Sequence, residues 1–242
     1  MKYSIILPTY NEALNISAMV RSIREQYGND PEILIVDDRS PDGTFEQASV
    51  LASEIPNVRA FLHDGIRSLS ASVLYGFDRA QGDVLICMDA DGQHRPEDLG
   101  KLFQAMKHND MVVGSRYAEG GGFAEKWKFS RVLTSRTAAL MAKLILKVRI
   151  QDPMSGFFAV RKEAYEKVRG ELDPRGFKIM LEILSLLALF PNIRIAETGI
   201  VFAMRKHGIS KLSANVIFQY LLMLKNSFLK QRKLKKRIAL SA

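Results

Sequence analysis

Val84-Leu85-Ile86-Cys87-Met88-Asp89-Ala90-Asp91-Gly92-Gln93 is an apolar run that stops abruptly on two carboxylates and a glycine. A short, unbroken apolar run of this kind reads as a strand buried on both faces, as in parallel sheets covered by helices. Working outward, Tyr3–Leu7, Glu32–Val36, Val58–Leu62 and Met111–Gly114 read as further strands. Between them apolar residues recur at helical spacing: Ile16, Met19, Val20 and Ile23; Phe45, Ala48, Leu51 and Ile55; Leu69, Val73, Phe77 and Ala80. Pro96 opens one more helix, carrying Leu99, Phe103 and Met106. Strand and helix alternating with short links predict an α/β fold, a mostly parallel sheet flanked by helices on both faces.

Ligands of such sheets bind beyond the carboxyl ends of the strands, so the residues after each run carry the interest. They are Pro8-Thr9-Tyr10-Asn11-Glu12, Asp37-Asp38-Arg39-Ser40, Asp89-Ala90-Asp91-Gly92-Gln93 and Ser115-Arg116-Tyr117. At a strand end the chain turns, and Asp89 and Asp91 can converge on one ion, with Gln93 as a neutral oxygen donor. Hard oxygen ligands suit Mg²⁺ or Mn²⁺. His94 reads as a hydrogen-bonding neighbour of that site and not as a ligand. Asp37 and Asp38 suit a ribose or a base, and the competing reading makes them turn acids. Asp42, in Ser40-Pro41-Asp42-Gly43, is a turn acid. Pro8–Glu12 offers a ring, an amide and a carboxylate to a nucleoside; Asn11 can alternatively cap the next helix.

The second half is more helical, over Lys128–Lys147 and Phe177–Phe190, with a short apolar run at Phe157–Val160 between. Gly120-Gly121-Gly122, flanked by Glu119 and Glu125, is the candidate for a mobile lid. With 242 residues, 47% of them hydrophobic, the chain can bury one full core. A charged fraction of 25% excludes wholesale disorder. The lone cysteine, Cys87, excludes an intrachain disulfide, points to a reducing compartment, and reads as an inert buried thiol. No signal-peptide pattern opens the sequence, and no apolar stretch reaches the about 18 residues of a membrane span.

The order Pro8-Thr9-Tyr10-Asn11-Glu12, Val36-Asp37-Asp38, Leu69-Ser70-Ala71, Met88–His94, Gly114-Ser115-Arg116-Tyr117 and Asp152-Pro153-Met154-Ser155-Gly156-Phe157 resembles a family 2 glycosyltransferase. More narrowly, it is similar to the dolichol-phosphate mannose synthases and their polyprenyl-phosphate relatives, as are Gly176-Phe177-Lys178-Ile179 and Arg205–Leu212. The resemblance implies a GT-A (Rossmann-like) fold and an inverting transfer of mannose from GDP-mannose to a polyprenyl (dolichyl) phosphate. It implies that Pro8, Tyr10, Glu12, Val36 and Asp38 hold the nucleoside. Asp89, Ala90, Asp91 and Gln93 then hold the metal (Mg²⁺ or Mn²⁺) and diphosphate, with Asp89 and Asp91 in catalytic positions. Arg116, Lys178, Arg205 and Lys211 match positions at the phosphates and donor sugar, and Arg131 and Ser135 fall at the acceptor phosphate. One departure is Ser68, where the family has glycine before Leu-Ser/Gly-x-Ala. Another is the lack of membrane-spanning helices after Leu212.

The chemistry fits those roles. A departing nucleoside diphosphate needs a metal and cations such as Arg116, Arg205 and Lys211. A phosphate monoester, with a second pKa of about 6, attacks as an anion without a dedicated base; Asp89 is the one candidate for an assisting carboxylate. A UDP-sugar (glucose or N-acetylglucosamine) passed to undecaprenyl phosphate is the alternative within the same chemistry.

Charge then divides the chain. Up to Glu197 there are 25 Lys/Arg and 26 Asp/Glu; from Thr198 onward there are 10 Lys/Arg and no acid, so the net +9 belongs to the end. Residues 1–212 are expected to form the single catalytic domain and 213–242 a basic amphipathic extension. Its stripe of Ile217, Leu221, Leu224 and Phe228 precedes Lys230, Arg232, Lys233, Lys235, Lys236 and Arg237, a pattern that suits an anionic membrane surface. The competing structural reading packs this helix on the domain with its charges solvated. The expected location is cytoplasmic, peripheral on the cytoplasmic face of a membrane. A basic nucleic-acid- or membrane-binding non-enzyme is the reading from another class; charge confined to one end, without a recognition motif, argues against nucleic acid.

Overall fold

Alternation of apolar residues fixes the layers. In β1 (Tyr3–Thr9) Ile5 and Leu7 enter one core while Ile6 enters the other, since successive side chains of a strand point to opposite faces. The computed structural model describes residues 1–124, 129–204 and 214–241, with side chains outside 129–133, 214–218 and 241. The first half follows the expected alternation: α1 (Ile16–Tyr27), β2 (Glu32–Asp37), α2 (Thr44–Glu54), β3 (Val58–Leu62), α3 (Leu69–Arg79) and β4 (Val84–Cys87). A 3₁₀ turn at Pro96–Asp98 then leads into α4 (Leu99–Met106) and β5 (Met111–Ser115).

The second half supplies β6 (Gly122–Phe123), α5 (Phe129–Leu146), β7 (Phe158–Arg161), α6 (Lys162–Val168), α7 (Ile179–Leu187), β8 (Ile195–Gly199), β9 (Val201–Phe202) and α8 (Ala214–Ser241). Among the described residues the main sheet has seven strands in the order β3-β2-β1-β4-β7-β5-β8. All run parallel except β7, which pairs antiparallel with both β4 and β5. That reversal matters: the chain entering β7, Asp152–Phe157, arrives at the same sheet edge on which β1, β2, β4 and β5 end. The crevice where strand order turns, between β1 and β4, opens at that edge.

Two cores cover the sheet. Ile5, Leu7, Ile33, Ile35, Val84 and Ile86 meet α1, α2 and α4 on one face; Ile6, Leu34, Val36, Leu85 and Phe158 meet α3, α6 and α7 on the other. α8 closes the second core. It sends Tyr220, Leu224, Ser227, Gln231 and Leu234 inward, and Gln231 Nε2 donates to the carbonyls of Leu146 and Ser185 at 3.1 and 2.6 Å. Lys230 bonds the buried Glu182, and Arg237 pairs with Glu171 at 2.8 Å.

The inward stripe is therefore rotated from the expected one. Leu224 is buried, whereas Leu221 and Phe228 are exposed, and the Ile217 side chain lies outside the described residues. Burial of Leu224 and Leu234 contributes about 1.5–3 kcal/mol each. A basic residue at an anionic surface contributes about 1 kcal/mol, so α8 belongs to the fold even where it touches something else. Among the described residues no helix is long and apolar enough to cross a membrane.

Candidate active site

The loops after β1 and β2 are laced to each other. Asp38 N–H donates to the Thr9 carbonyl at 3.0 Å, Asn11 N–H to Ser40 Oγ at 2.9 Å and Glu12 N–H to Thr44 Oγ1 at 2.9 Å. Asp37 is fully buried and accepts from Thr9 Oγ1, Ser40 N–H and Ser40 Oγ, so of the paired acids it is the turn acid. Asp38 faces His63, with Nδ1 to Oδ1 at 3.2 Å. Asp42 accepts from Thr44 and Ala13, the expected turn role. Asn11 does not cap α1; it takes φ +62°, a left-handed turn that asparagine tolerates, and Arg39 takes φ +57° at the matching place after β2. Pro8 and Val36 are buried beneath this surface; Tyr10 is exposed, with the Arg67 guanidinium 4.0 Å over its ring. Glu12 Oε2 accepts from Asn15 at 2.7 Å.

β4 delivers Asp89, Ala90 and Asp91 beside these loops. Asp91 is buried and accepts the Gln93 backbone N–H at 2.9 Å; the Asp89 side chain is 34% exposed. His94 is the neighbour expected of it. Its Nδ1 accepts from Asp89 N–H at 2.9 Å while its ring stacks on Phe157, so it fixes the backbone that aims Asp89. Gly156 lies close against both: a Cβ there would stand 3.3 Å from Asp89 Oδ2 and 3.4 Å from the His94 ring, a tight fit at the Asp89 carboxylate. Cys87 is buried, and burial with the Asp89 charge pushes its thiol well up, leaving no thiolate. The donor set here is oxygen only. Among the described residues no three His, Cys, Asp or Glu gather as a metal cage. One or two carboxylates completed by substrate phosphates are the usual Mg²⁺ arrangement, and Asp89 with Asp91 fits it.

Opposite Asp89 stands a cationic wall. A cavity of about 300 Å³ is lined by Asp89, Arg116, Ser135 and Lys178, four of the expected residues, together with His94 and Gly156. Arg116 leaves the end of β5 and forms a fork with the fully buried Asp152, Nε–Oδ2 and Nη2–Oδ1 both 2.7 Å. Burial disfavours the guanidinium charge, but the Asp152 bonds outweigh it and hold the Arg116 pKa above its usual range. Asp152 is fixed in turn by Glu197, which accepts its N–H at 2.9 Å.

Lys178, at the start of α7, donates to the Met154 carbonyl at 3.0 Å. Burial, with Arg116 nearby, lowers its ammonium to about 8 against the pull of Asp89 and Asp152. Ser135 lies on α5 and receives a 3.4 Å bond from Tyr117 Oη. Arg131 is one turn earlier on the same helix, its side chain outside the described residues, as are Arg205 and Lys211.

Three parts of this site were missed in the sequence. Asp152 appears there only within a quoted block, although a single acid between the apolar Ile150 and Phe157 is a signal of a buried partner. Gly156 and His63 carried no signal beyond their types. The loop expected as a lid is hydrogen-bonded in its described part: Gly121 N–H bonds Ala118, Gly122 N–H bonds Ile200, and β6 pairs in parallel with β9. The described part of the glycine loop thus lies against β9 and the end of β8, where a Cβ on Gly199 would stand 2.1 Å from the Glu119 carbonyl. Glu125 lies outside the described residues.

Known proteins resemble this chain in sequence and in fold. The family model for Glycosyl transferase family 2 matches residues 4–169. A dolichol-phosphate mannosyltransferase of Pyrococcus furiosus is 44% identical over 225 residues, 91% of this chain and 62% of that protein, so the chain spans under two thirds of its length. One of Saccharomyces cerevisiae is 39% identical over 235 residues, 94% of this chain and 87% of that protein. Glucosyl-3-phosphoglycerate synthase from Mycobacterium tuberculosis, solved with Mn²⁺, UDP and phosphoglyceric acid, superposes with a TM-score of 0.70 at 17% identity, covering 93% of this chain and 78% of that one. At that identity the likeness speaks for the fold, which is GT-A. With its sheet, its acid-ended β4 and these relatives, the chain belongs to glycosyltransferase family 2 and is a glycosyltransferase.

Proposed function

We propose that this chain transfers mannose from GDP-mannose to a polyprenyl phosphate, with inversion and with a divalent cation, at a membrane surface. The observation that carries the reading is the cavity in which one carboxylate, Asp89, faces the fixed cations Arg116 and Lys178. A nucleoside diphosphate leaving group and an incoming phosphate monoester both bring negative charge to one carbon, and such a cavity receives both. The named mannosyltransferase relatives support the sugar and the lipid phosphate.

In this reading Pro8, Tyr10, Glu12, Val36 and Asp38 hold the nucleoside. Asp89, Ala90, Asp91 and Gln93 hold the diphosphate and the ion, Mg²⁺ or Mn²⁺. When bound, that ion neutralises charge on the departing diphosphate. Arg116, Lys178, Arg205 and Lys211 attend the phosphates and donor sugar, and Arg131 and Ser135 the acceptor phosphate. The acceptor oxygen, already ionised, needs only to be aimed, and Asp89 is the carboxylate placed to assist.

Membrane contact falls to the outer face of α8. Leu221, Leu222, Phe228 and Leu229 are exposed there beside Arg232, Lys233, Lys235 and Lys236. The reading thus keeps residues 1–212 as the catalytic part and 213–242 as a basic segment that packs inward and binds lipid outward. Labelled sugar supplied as GDP-mannose and chased into butanol-extractable polyprenyl phosphate tests the whole reading. Incorporation that needs Mg²⁺ or Mn²⁺ supports it; incorporation from a UDP-sugar alone replaces the donor, and none from any donor defeats it.

A further inference from the structure

Ser68 opens α3 with an extended backbone, and its Oγ has two partners. It accepts the Ala71 N–H at 3.0 Å, capping the helix, and it donates to the carbonyl of Pro174. Two residues on, Ser70 N–H donates to the Gly176 carbonyl at 3.1 Å. The first turn of α3, whose N–H groups have no partners within the helix, therefore grips the segment 174–176 from a hundred residues away. Gly176 takes φ +152°, a conformation that suits glycine, and delivers Phe177 and Lys178. Lys178 is where the grip leads: its Nζ is tied to Met154 and lines the cavity with Asp89 and Arg116.

A lysine is a compact charge on a flexible stem, so its effect depends on what holds its backbone. We propose that Ser68 is a positioning residue for the transfer reaction: through Pro174 it fixes the strap that sets Lys178 against the departing diphosphate. The proposal rests on the role given to Lys178 above. It also gives a physical use to the serine that stands where the resembling family has glycine.

Glycine is the informative replacement because it costs a helix N-cap only a few tenths of a kcal/mol, whereas alanine costs more. In the full-length chain, Ser68→Gly is expected to lower kcat about 10- to 100-fold, the scale of a small misplacement at a reacting centre. KM for GDP-mannose should stay within about two-fold, as expected for an interaction made in the transition state. Ser68→Thr keeps the hydroxyl and should restore kcat. The double variant Ser68→Gly/Lys178→Gln should be no slower than Lys178→Gln alone, because both act through one ammonium.

A Ser68→Gly enzyme with wild-type kcat overturns the positioning role, and so does a double variant whose losses multiply. Lys178→Gln with full activity overturns both this proposal and the placing of Lys178 at the donor. Lys178→Gln slow with Ser68→Gly normal overturns the proposal alone.

Discussion

The two sides of the candidate site, which meet at the cavity through Asp89 on one and Arg116 and Lys178 on the other, are built differently. The acid wall grows from strand ends adjacent in the sheet: β1, β2 and β4 each run straight into their loops, and neighbouring loops bond one another. The cationic wall is assembled from distant pieces, Arg116 from β5, Asp152 from the lead into β7, and Lys178 from the start of α7. It needs a buried acid, Asp152, to hold its arginine; the acid wall keeps Asp89 partly open to solvent. Burial first, and Arg116 after it, lower the Lys178 ammonium, and an internal counter-charge makes two cations in one buried place tolerable.

The largest effect should come from taking that counter-charge away. Asp152→Asn leaves the buried Arg116 without its partner, and breaking a buried pair costs about 3–5 kcal/mol. Urea denaturation should show this loss, and an unchanged midpoint would mean that the cationic wall stands without its acid.

Next, Asp91→Ala breaks the other wall without disturbing the first. A fall of about 10²–10³ in kcat is expected, the scale of a lost charge-stabilising group, with denaturation nearly unchanged and metal-dependent nucleotide binding weakened. An equal loss of stability would make Asp91 a packing residue.

The cations of α8 belong to neither wall: Lys233, Lys235 and Lys236 are exposed and line no part of the cavity. Replacing all three by Gln should lower binding to anionic vesicles about 100-fold, from about 1 kcal/mol per lysine. kcat with a short, soluble prenyl phosphate should not move. Unaltered vesicle sedimentation would remove α8 from the membrane.

The smallest expected effect is a pH dependence. Lys178 is lowered from its ordinary 10.5 to about 8. Between those values the unfolded chain binds more protons than the folded one, so this group makes the fold more stable as pH rises from about 8 to 10.5. Transfer that uses the ammonium should instead decline above pH 8. A rate that falls there while the thermal midpoint does not would trace the loss to the cationic wall and not to unfolding.

The first half was legible because its information is local. Each strand carries its own apolar run, each helix its own period, and the parallel rule places their ends together. The β1, β2 and β4 loops could be read as one site before any contact was known. The second half resists because its elements take meaning from partners far away in the chain. Phe157–Val160 gives no hint that β7 enters antiparallel between β4 and β5, and Ile195–Gly199 was not read as a strand at all. The stripe on α8 could be read on either of two faces, since Leu221 and Leu224 satisfy the same period; only the docking of Gln231 and Leu234 fixes the rotation. Asp152, Gly156 and His63 act through side-chain approaches that no spacing encodes.

The most direct test of the account is calorimetry on the full chain with GDP-mannose, UDP-glucose and UDP-N-acetylglucosamine, each with Mn²⁺ and with EDTA. Heat is expected from GDP-mannose with Mn²⁺, with a large loss of affinity in EDTA or in Asp91→Ala. Binding of no donor in the presence of the metal, or binding indifferent to both the metal and Asp91, would contradict it.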